Sequence, residues 1–178
     1  SNVAAMKADG TVSKIIVMIN SANALQVDFL KDNTYNVDAC LWIGDVGITG
    51  INAVADILAG NVNPSGSLVD TYCYDNMSSP AMANFTPVTY EGYTEELVPE
   101  KAKSYMVYQE GIYVGYKYYE TRYEDTVMGT GNAGSYVYSD DVAFPFGYGL
   151  SYTDFKYEDL EIVANTKKHV TGKIKITN

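Results

Sequence analysis

The first seventy residues combine short apolar runs with one stretch of helical spacing. Residues 14–19 and 37–43 are dominated by apolar side chains, as is typical of strands covered on both faces in a parallel sheet. Residues 3–9 predict the end of a helix, and a glycine-rich segment at 44–50 precedes the helical period of residues 51–59. Strand, glycine loop and helix in this order predict a βα unit and an α/β fold.

This pattern also predicts one core for the region, with the helix at about residues 50–59 covering the sheet. Burying its apolar side chains together would make Leu58→Ala cost about 2–5 kcal/mol. The predicted core residues are Ile16, Val17, Ile19, Leu41, Ile43, Val54 and Leu58.

The middle of the chain is less regular. Residues 67–74 predict a third extended segment, and residues 75–105, rich in proline and polar side chains, are interpreted as a long surface excursion. Fourteen of the 17 tyrosines fall between Tyr90 and Tyr157, and residues 105–120 have a strong strand propensity.

The last segment, residues 156–178, differs from the rest in pattern and charge. Val170, Ile174 and Ile176 alternate with lysine and threonine, which predicts a half-exposed antiparallel strand at about 169–177. The segment holds five lysines and three acidic residues, in a chain with a net charge of −10. We therefore predict a domain boundary that separates residues 1–155 from residues 156–178.

Charge and length exclude several classes of function. No basic residue occurs between Lys31 and Lys101, whereas ten acidic residues do, and such a surface repels nucleic acid. The longest strongly apolar run, residues 15–19, is far shorter than the roughly 20 residues that span a bilayer, so no membrane segment is predicted. Because the chain opens at Ser1 without an initiator methionine or a signal sequence, we interpret it as a piece of a longer protein.

The inventory of reactive side chains is small. His169 is the one histidine, which excludes a Ser-His-Asp triad or a histidine-rich zinc site within the chain, and we predict neither a metal nor a cofactor. Cys40 and Cys73 lack metal-binding spacing. One disulfide bridge or two free thiols are both compatible with the sequence, and their apolar, strand-like contexts favour buried free thiols. The candidate carboxylates Glu110, Glu120, Glu124 and Asp125 show no spacing that singles out a catalytic pair, and exposed surface acids are the simpler interpretation.

Two further features suit ligand binding. The loop at 44–50 lies where α/β proteins place ligands, but Asp45 within it opposes a phosphate, and a tight turn with close helix packing is the simpler explanation. The clustered tyrosines could stack against sugars, although most such rings serve packing.

Five separated stretches carry motifs in a fixed order. They are residues 15–21 (IIVMINS), 39–47 (ACLWIGDVG), 53–68 (AVADILAGNVNPSGSL), 110–121 (EGIYVGYKYYET) and 144–153 (FPFGYGLSYT). Together they resemble the C-terminal domain of glycoside hydrolase family three, the β-glucosidase and β-xylosidase family. Residues 156–178 resemble the first strands of the fibronectin type III-like domain that follows in many members. Residues 70–80 resemble a bacterial subgroup in which the catalytic barrel can follow this domain.

The resemblance implies an α/β sandwich that packs on a TIM-like barrel and a reaction that cleaves β-glycosides with retention. In the family the nucleophile is an aspartate of the barrel, and the acid/base is a glutamate upstream of the strand matching residues 14–19. The resemblance therefore implies no catalytic residue in this chain. The loop at 44–50 would face the barrel, which makes Asp45 a candidate for the rim of the substrate site.

The expected fold is thus a partial α/β sandwich, with a largely parallel sheet flanked by helices and a short C-terminal β segment. The expected function is that of a non-catalytic fragment of a retaining β-glycosidase acting on terminal β-linked sugars. Its expected partners are a β-linked oligosaccharide or glycoside, the catalytic barrel of the same protein, and a second copy bound through the C-terminal strand. Two alternatives are a stand-alone carbohydrate-binding module that uses exposed tyrosines and a purely structural domain.

Overall fold

The computed structural model describes residues 2–92, 104–131 and 133–178. The chain divides into two compact units, one formed by residues 1–51 and 67–148 and the other by residues 52–66 and 149–178. The elements in chain order are α1 (Asn2–Ala8), β1 (Ile16–Ile19), β2 (Ala39–Trp42), α2 (Gly47–Leu58), β3 (Tyr72–Cys73), α3 (Pro80–Ala83), β4 (Val88–Thr89), β5 (Ser104–Tyr105), α4 (Tyr116–Met128), α5 (Tyr138–Asp141), β6 (Val142–Phe144), β7 (Lys156–Asn165) and β8 (Val170–Thr177).

The predicted βα pattern is present at the start of the first unit. β1 and β2 pair in parallel, from Ile16 opposite Ala39 to Ile19 opposite Trp42. The parallel arrangement does not extend further among the described residues, because β3–β6, β4–β5 and β7–β8 are separate antiparallel pairs. The prediction of a largely parallel sheet is therefore wrong: the described residues form four two-stranded sheets, three of them antiparallel.

The main core of the first unit joins the parallel pair to the β3–β6 pair. Ile19, Val27, Tyr72 and Ala143 form one buried cluster. Partly buried apolar side chains surround it: Val17, Ala24, Phe29, Leu30, Leu68, Tyr74 and Phe144. A smaller buried cluster contains Cys73, Tyr119 and Val142. Cys73 follows Tyr72 in β3, so the side chains of these two residues point to opposite faces of that strand.

The predicted core is only partly correct. Ile19 and Val54 are buried, Val17, Leu41 and Ile43 are half-buried, and Ile16 and Leu58 are exposed. The physical reason is the period of two along a strand: β1 turns Val17 and Ile19 towards the cluster and Ile16 and Met18 away from it. Since the described residues cover this strand on one face only, the two-sided burial inferred from the continuous apolar run is not found.

The tyrosine-rich segment also differs from the prediction of strand at 105–120. Only Ser104–Tyr105 is extended there, and α4 begins at Tyr116, after Gly115 with its φ of 58°. Tyr116, Tyr119 and Tyr123 are spaced three and four residues apart, so they lie on one side of the helix, where Tyr119 is buried. This helical spacing outweighs the intrinsic strand propensity of tyrosine.

The second unit contains the end of α2 and the C-terminal hairpin, and two of the sequence motifs meet within it. The Asn63 side chain of the NPSG motif donates to Ser151 Oγ at 2.9 Å, and its Oδ1 accepts from the backbone N–H of Tyr152 at 3.0 Å. These bonds join the NPSG turn to the YGLSYT segment, which explains why a polar asparagine occurs at that turn.

The hairpin of β7 and β8 confirms the predicted strand near residues 169–177. It runs from Lys156 opposite Thr177 to Asn165 opposite Val170, with register shifts along β7. Asp159 has a φ of 55° and lies at the first of these irregularities. None of the residues of either strand is buried.

Candidate functional site

A small recess lies at the carboxyl end of the parallel strands, the edge at which α/β sheets place ligands. Its volume is about 110 Å³. The recess lies wholly within the first unit and is lined by Ala22, Ala24, Trp42, Leu68, Val69, Asp70 and Tyr72.

Trp42, the last residue of β2, provides the aromatic surface of the recess. Its Nε1–H donates to the carbonyl oxygen of Ser21 at 3.1 Å, which joins its indole to the loop after β1. Gly44 has a φ of 56°, and a Cβ there would lie 3.1 Å from Cη2 of the indole. The ring is therefore held from two sides while 43% of the residue stays exposed.

Asp70 and Tyr72 provide the polar groups of the recess. Asp70 Oδ1 accepts from the backbone N–H of Thr71 at 2.8 Å, and no hydrogen bond to Oδ2 is found in the part of the chain that the structure describes. Burial, followed by the charge of Asp70, raises the pKa of the Tyr72 hydroxyl, which therefore remains protonated at neutral pH. The recess combines an aromatic face with an accepting carboxylate.

Asp45, the residue predicted from the sequence for the substrate rim, lies outside the lining of this recess. It is exposed, and its Oδ1 accepts from the backbone N–H of Gly47 at 3.4 Å, where α2 begins. An acidic side chain near the start of a helix accepts from a backbone N–H that has no partner within the helix. Its negative charge also interacts favourably with the helix dipole. The sequence carries no local signal for Asp70, because Asp70 and Trp42 are far apart in the chain and meet only through tertiary packing.

Two of the other candidate carboxylates accept hydrogen bonds from nearby hydroxyl groups. Glu120 Oε1 accepts from the Tyr138 hydroxyl at 2.6 Å, and Asp125 Oδ1 accepts from Thr130 Oγ1 at 3.4 Å. Glu124 is exposed on α4. Glu110 is half-buried, and its Oε2 is shielded from solvent without a hydrogen-bond partner.

The two cysteines differ in environment. Both are free thiols, but only Cys73 is buried, so the prediction of two buried thiols is wrong for Cys40. Burial raises the pKa of Cys73 and of its neighbour Tyr119, whose hydroxyl lies 2.8 Å from Ser78 Oγ. A thiol held protonated in this way is unreactive.

Neither a metal cluster nor a membrane-spanning helix is found in the described ranges. His169 lies at the hairpin turn, where its backbone bonds to Thr166. Within residues 2–92, 104–131 and 133–178, no three histidine, cysteine or acidic side chains group as metal ligands. No helix in those ranges is both long enough and apolar enough to cross a bilayer.

Comparison with known proteins defines the class to which this domain belongs. The sequence is 31% identical over 168 residues to a β-glucosidase of Ruminococcus albus, covering 92% of the chain and 14% of the relative. It is 38% identical over 148 residues to β-glucosidase A of Butyrivibrio fibrisolvens, covering 83% of the chain and 14% of the relative. The structure superimposes on β-glucosidase 3B of Thermotoga neapolitana, solved in complex with glucose, with a TM-score of 0.62 and 31% identity, covering 98% of this chain and 20% of that one.

The relatives named above are β-glucosidases, and this chain matches only a part of each of them. The sequence profile of the glycosyl hydrolase family 3 C-terminal domain matches residues 2–116. The chain belongs to this family, and it spans about one seventh of the length of the curated relatives it matches.

Proposed function

We propose that this chain is a non-catalytic part of a retaining β-glycosidase that removes terminal β-linked glucose or xylose. The observation that carries the proposal is the family match to the C-terminal domain over residues 2–116. A retaining glycosidase needs two carboxyl groups about 5–5.5 Å apart, one as nucleophile and one as acid/base. We propose that both come from outside this chain, the nucleophile from a catalytic barrel in the same protein.

Three features of the described carboxylates support a non-catalytic role. Glu120 and Asp125 are hydrogen-bonded to hydroxyl groups of their own region, and Asp45 Oδ1 accepts from the backbone N–H of Gly47, the first residue of α2. We retain Asp45 as a proposed rim residue, because its loop follows β2 at the carboxyl edge of the parallel pair.

Activity assays test this function. The purified chain is expected to show no hydrolysis of aryl β-glucosides or β-xylosides above background. Mixing it with the separately produced remainder of the parent protein should restore hydrolysis to a remainder that is inactive alone. Hydrolysis by the chain itself that survives repurification and disappears in Glu110→Ala or Asp45→Ala would contradict the proposal.

We also propose a domain boundary near residue 155 and self-association through the hairpin. The support for self-association is the apolar face of β7 and β8, on which Tyr157, Ile162, Ile174 and Ile176 are exposed. A lone two-stranded hairpin is marginal in water, and unpaired strand edges favour pairing with another chain. Light scattering should find the full chain dimeric or larger and a chain truncated after Phe155 monomeric. The same number of subunits in both would exclude this association.

A further inference from the structure

The recess at the end of β1 and β2 contains a combination of groups that suits a neutral sugar ring. Trp42 offers a fixed, half-exposed indole, Asp70 offers a carboxylate oxygen, and Tyr72 lies beside them. An aromatic face packs against the C–H face of a pyranose, and a carboxylate accepts strong hydrogen bonds from hydroxyl groups. We propose that this recess binds one pyranose unit of a β-glucoside, an assignment that rests on the proposed glycosidase function.

The geometry explains why the platform is prepared before a ligand arrives. The Ser21 carbonyl accepts from the indole nitrogen, and the ring lies so close to Gly44 that a side chain there would displace it by a few tenths of an ångström. A ring already held in place loses little conformational entropy when a ligand packs on it. At about 110 Å³ the recess takes one face of a sugar rather than enclosing a whole ligand.

The charge of the surroundings selects against other small ligands. None of the residues that line the recess is basic, and the sequence has no basic residue from 32 to 100, so an anionic ligand would meet Asp70 without a counter-charge. An organic ammonium ion is the main competitor, because an aromatic face with a carboxylate also suits a cation. The experiment must therefore separate a sugar from a cation.

Trp42 is the one tryptophan of the chain, so its fluorescence reports directly on the recess. We expect titration with methyl β-D-glucoside and with cellobiose to give a saturable change with a dissociation constant in the millimolar range, at about −4 kcal/mol. Asp70→Asn keeps an oxygen for the Thr71 N–H but removes the charge, and it should raise the dissociation constant about tenfold. Asp154→Asn, at an exposed acidic residue outside the recess, is the matched control and should leave the dissociation constant unchanged.

A second pair of variants keeps the test valid if Asp70→Asn fails to fold. Val69 lines the recess and is 71% exposed, so Val69→Tyr should fold and block the recess. Ile48→Tyr, at a residue 96% exposed and outside the recess, is its control.

Three results would overturn the proposal. They are the absence of a saturable change up to about 100 mM sugar, equal weakening by the recess variants and their controls, and saturation by tetramethylammonium chloride but not by sugar at matched ionic strength. A failure of binding leaves the restoration of hydrolysis by mixing unaffected, so the two proposals can fail separately.

Discussion

The strands of the first unit and those of the C-terminal hairpin differ in length and in burial, and in opposite directions. The strands of the first unit are only two to four residues long, yet Ile19, Tyr72 and Cys73 within them are buried. β7 and β8 are ten and eight residues long, and none of their residues is buried. The length of a strand therefore reflects local pairing and alternation, whereas its contribution to stability depends on what covers it.

The largest expected difference between the two regions comes from a matched pair of isoleucines. Ile19 is 7% exposed in the main core and Ile176 is 54% exposed on the hairpin. Ile19→Ala should lower the free energy of unfolding by about 2–5 kcal/mol, because it removes buried surface and leaves a cavity. At protein concentrations at which light scattering finds the chain monomeric, Ile176→Ala should change it by less than about 0.5 kcal/mol.

Urea unfolding followed by far-UV circular dichroism and by Trp42 fluorescence would measure both effects. If Ile19→Ala does not fold, Ile19→Val should still cost about 0.5–1.5 kcal/mol. Equal losses at the two positions in the monomer would contradict this prediction, because they would mean that the hairpin face is covered within a single chain.

Two glycines sharpen the same comparison. Gly44 has a φ of 56° with the Trp42 ring 3.1 Å from where a Cβ would lie, so Gly44→Ala should cost about 1–2 kcal/mol. Gly172 in β8 has no positive φ, and a Cβ there would meet Ile162 Cδ1 at 3.7 Å, an ordinary contact. Gly172→Ala should therefore stabilise the hairpin by about 0.5–1 kcal/mol.

Thermal unfolding gives the first value, and amide hydrogen exchange in β7 and β8 gives the second. A stabilising Gly44→Ala would show that the indole is not held against the backbone. Faster exchange in Gly172→Ala would show that β8 needs the glycine at this position.

The smallest effect concerns an exposed ionic contact that ties α1 to the parallel pair. Asp38 accepts from Lys7 Nζ at 2.5 Å, Lys14 Nζ at 3.0 Å and the Ile15 N–H at 2.8 Å. The Lys7 bond first, then the Ile15 and Lys14 bonds, lower the pKa of Asp38 below its ordinary value of 3.8. Its stabilisation is therefore fully present above that pH and is lost as the pH falls through the lowered value.

Melting temperatures between about pH 6 and pH 2 would test this prediction. Wild type should melt above Asp38→Asn at neutral pH, and the difference in melting temperature should narrow progressively as the pH falls below 3.8. Asp154→Asn, at an exposed carboxylate, is the control and should follow the wild-type profile. A gap that stays constant with pH would show that Asp38 acts through shape rather than charge.

Several elements could be predicted because their signals are local. The apolar runs at 14–19 and 37–43 predicted β1 and β2, the period at 51–59 predicted most of α2, and the alternation after Val170 predicted β8. Residue order within the motifs was enough to indicate the family, which the profile match confirms. The helix at 116–128 was missed, although the spacing of its tyrosines and the glycines at both ends were visible in the sequence.

What the sequence determined by itself was thus the local conformation of these segments and the family that their motifs define. Tertiary structure alone decided that β1 is covered on one face, that three of the four strand pairs among the described residues are antiparallel, and that Asp70 rather than Asp45 lines the recess with Trp42. The physical reason is the distance along the chain over which each effect acts. Periodicity and turn chemistry act over a few residues, whereas burial and the approach of residue 70 to residue 42 depend on packing between segments far apart in the chain.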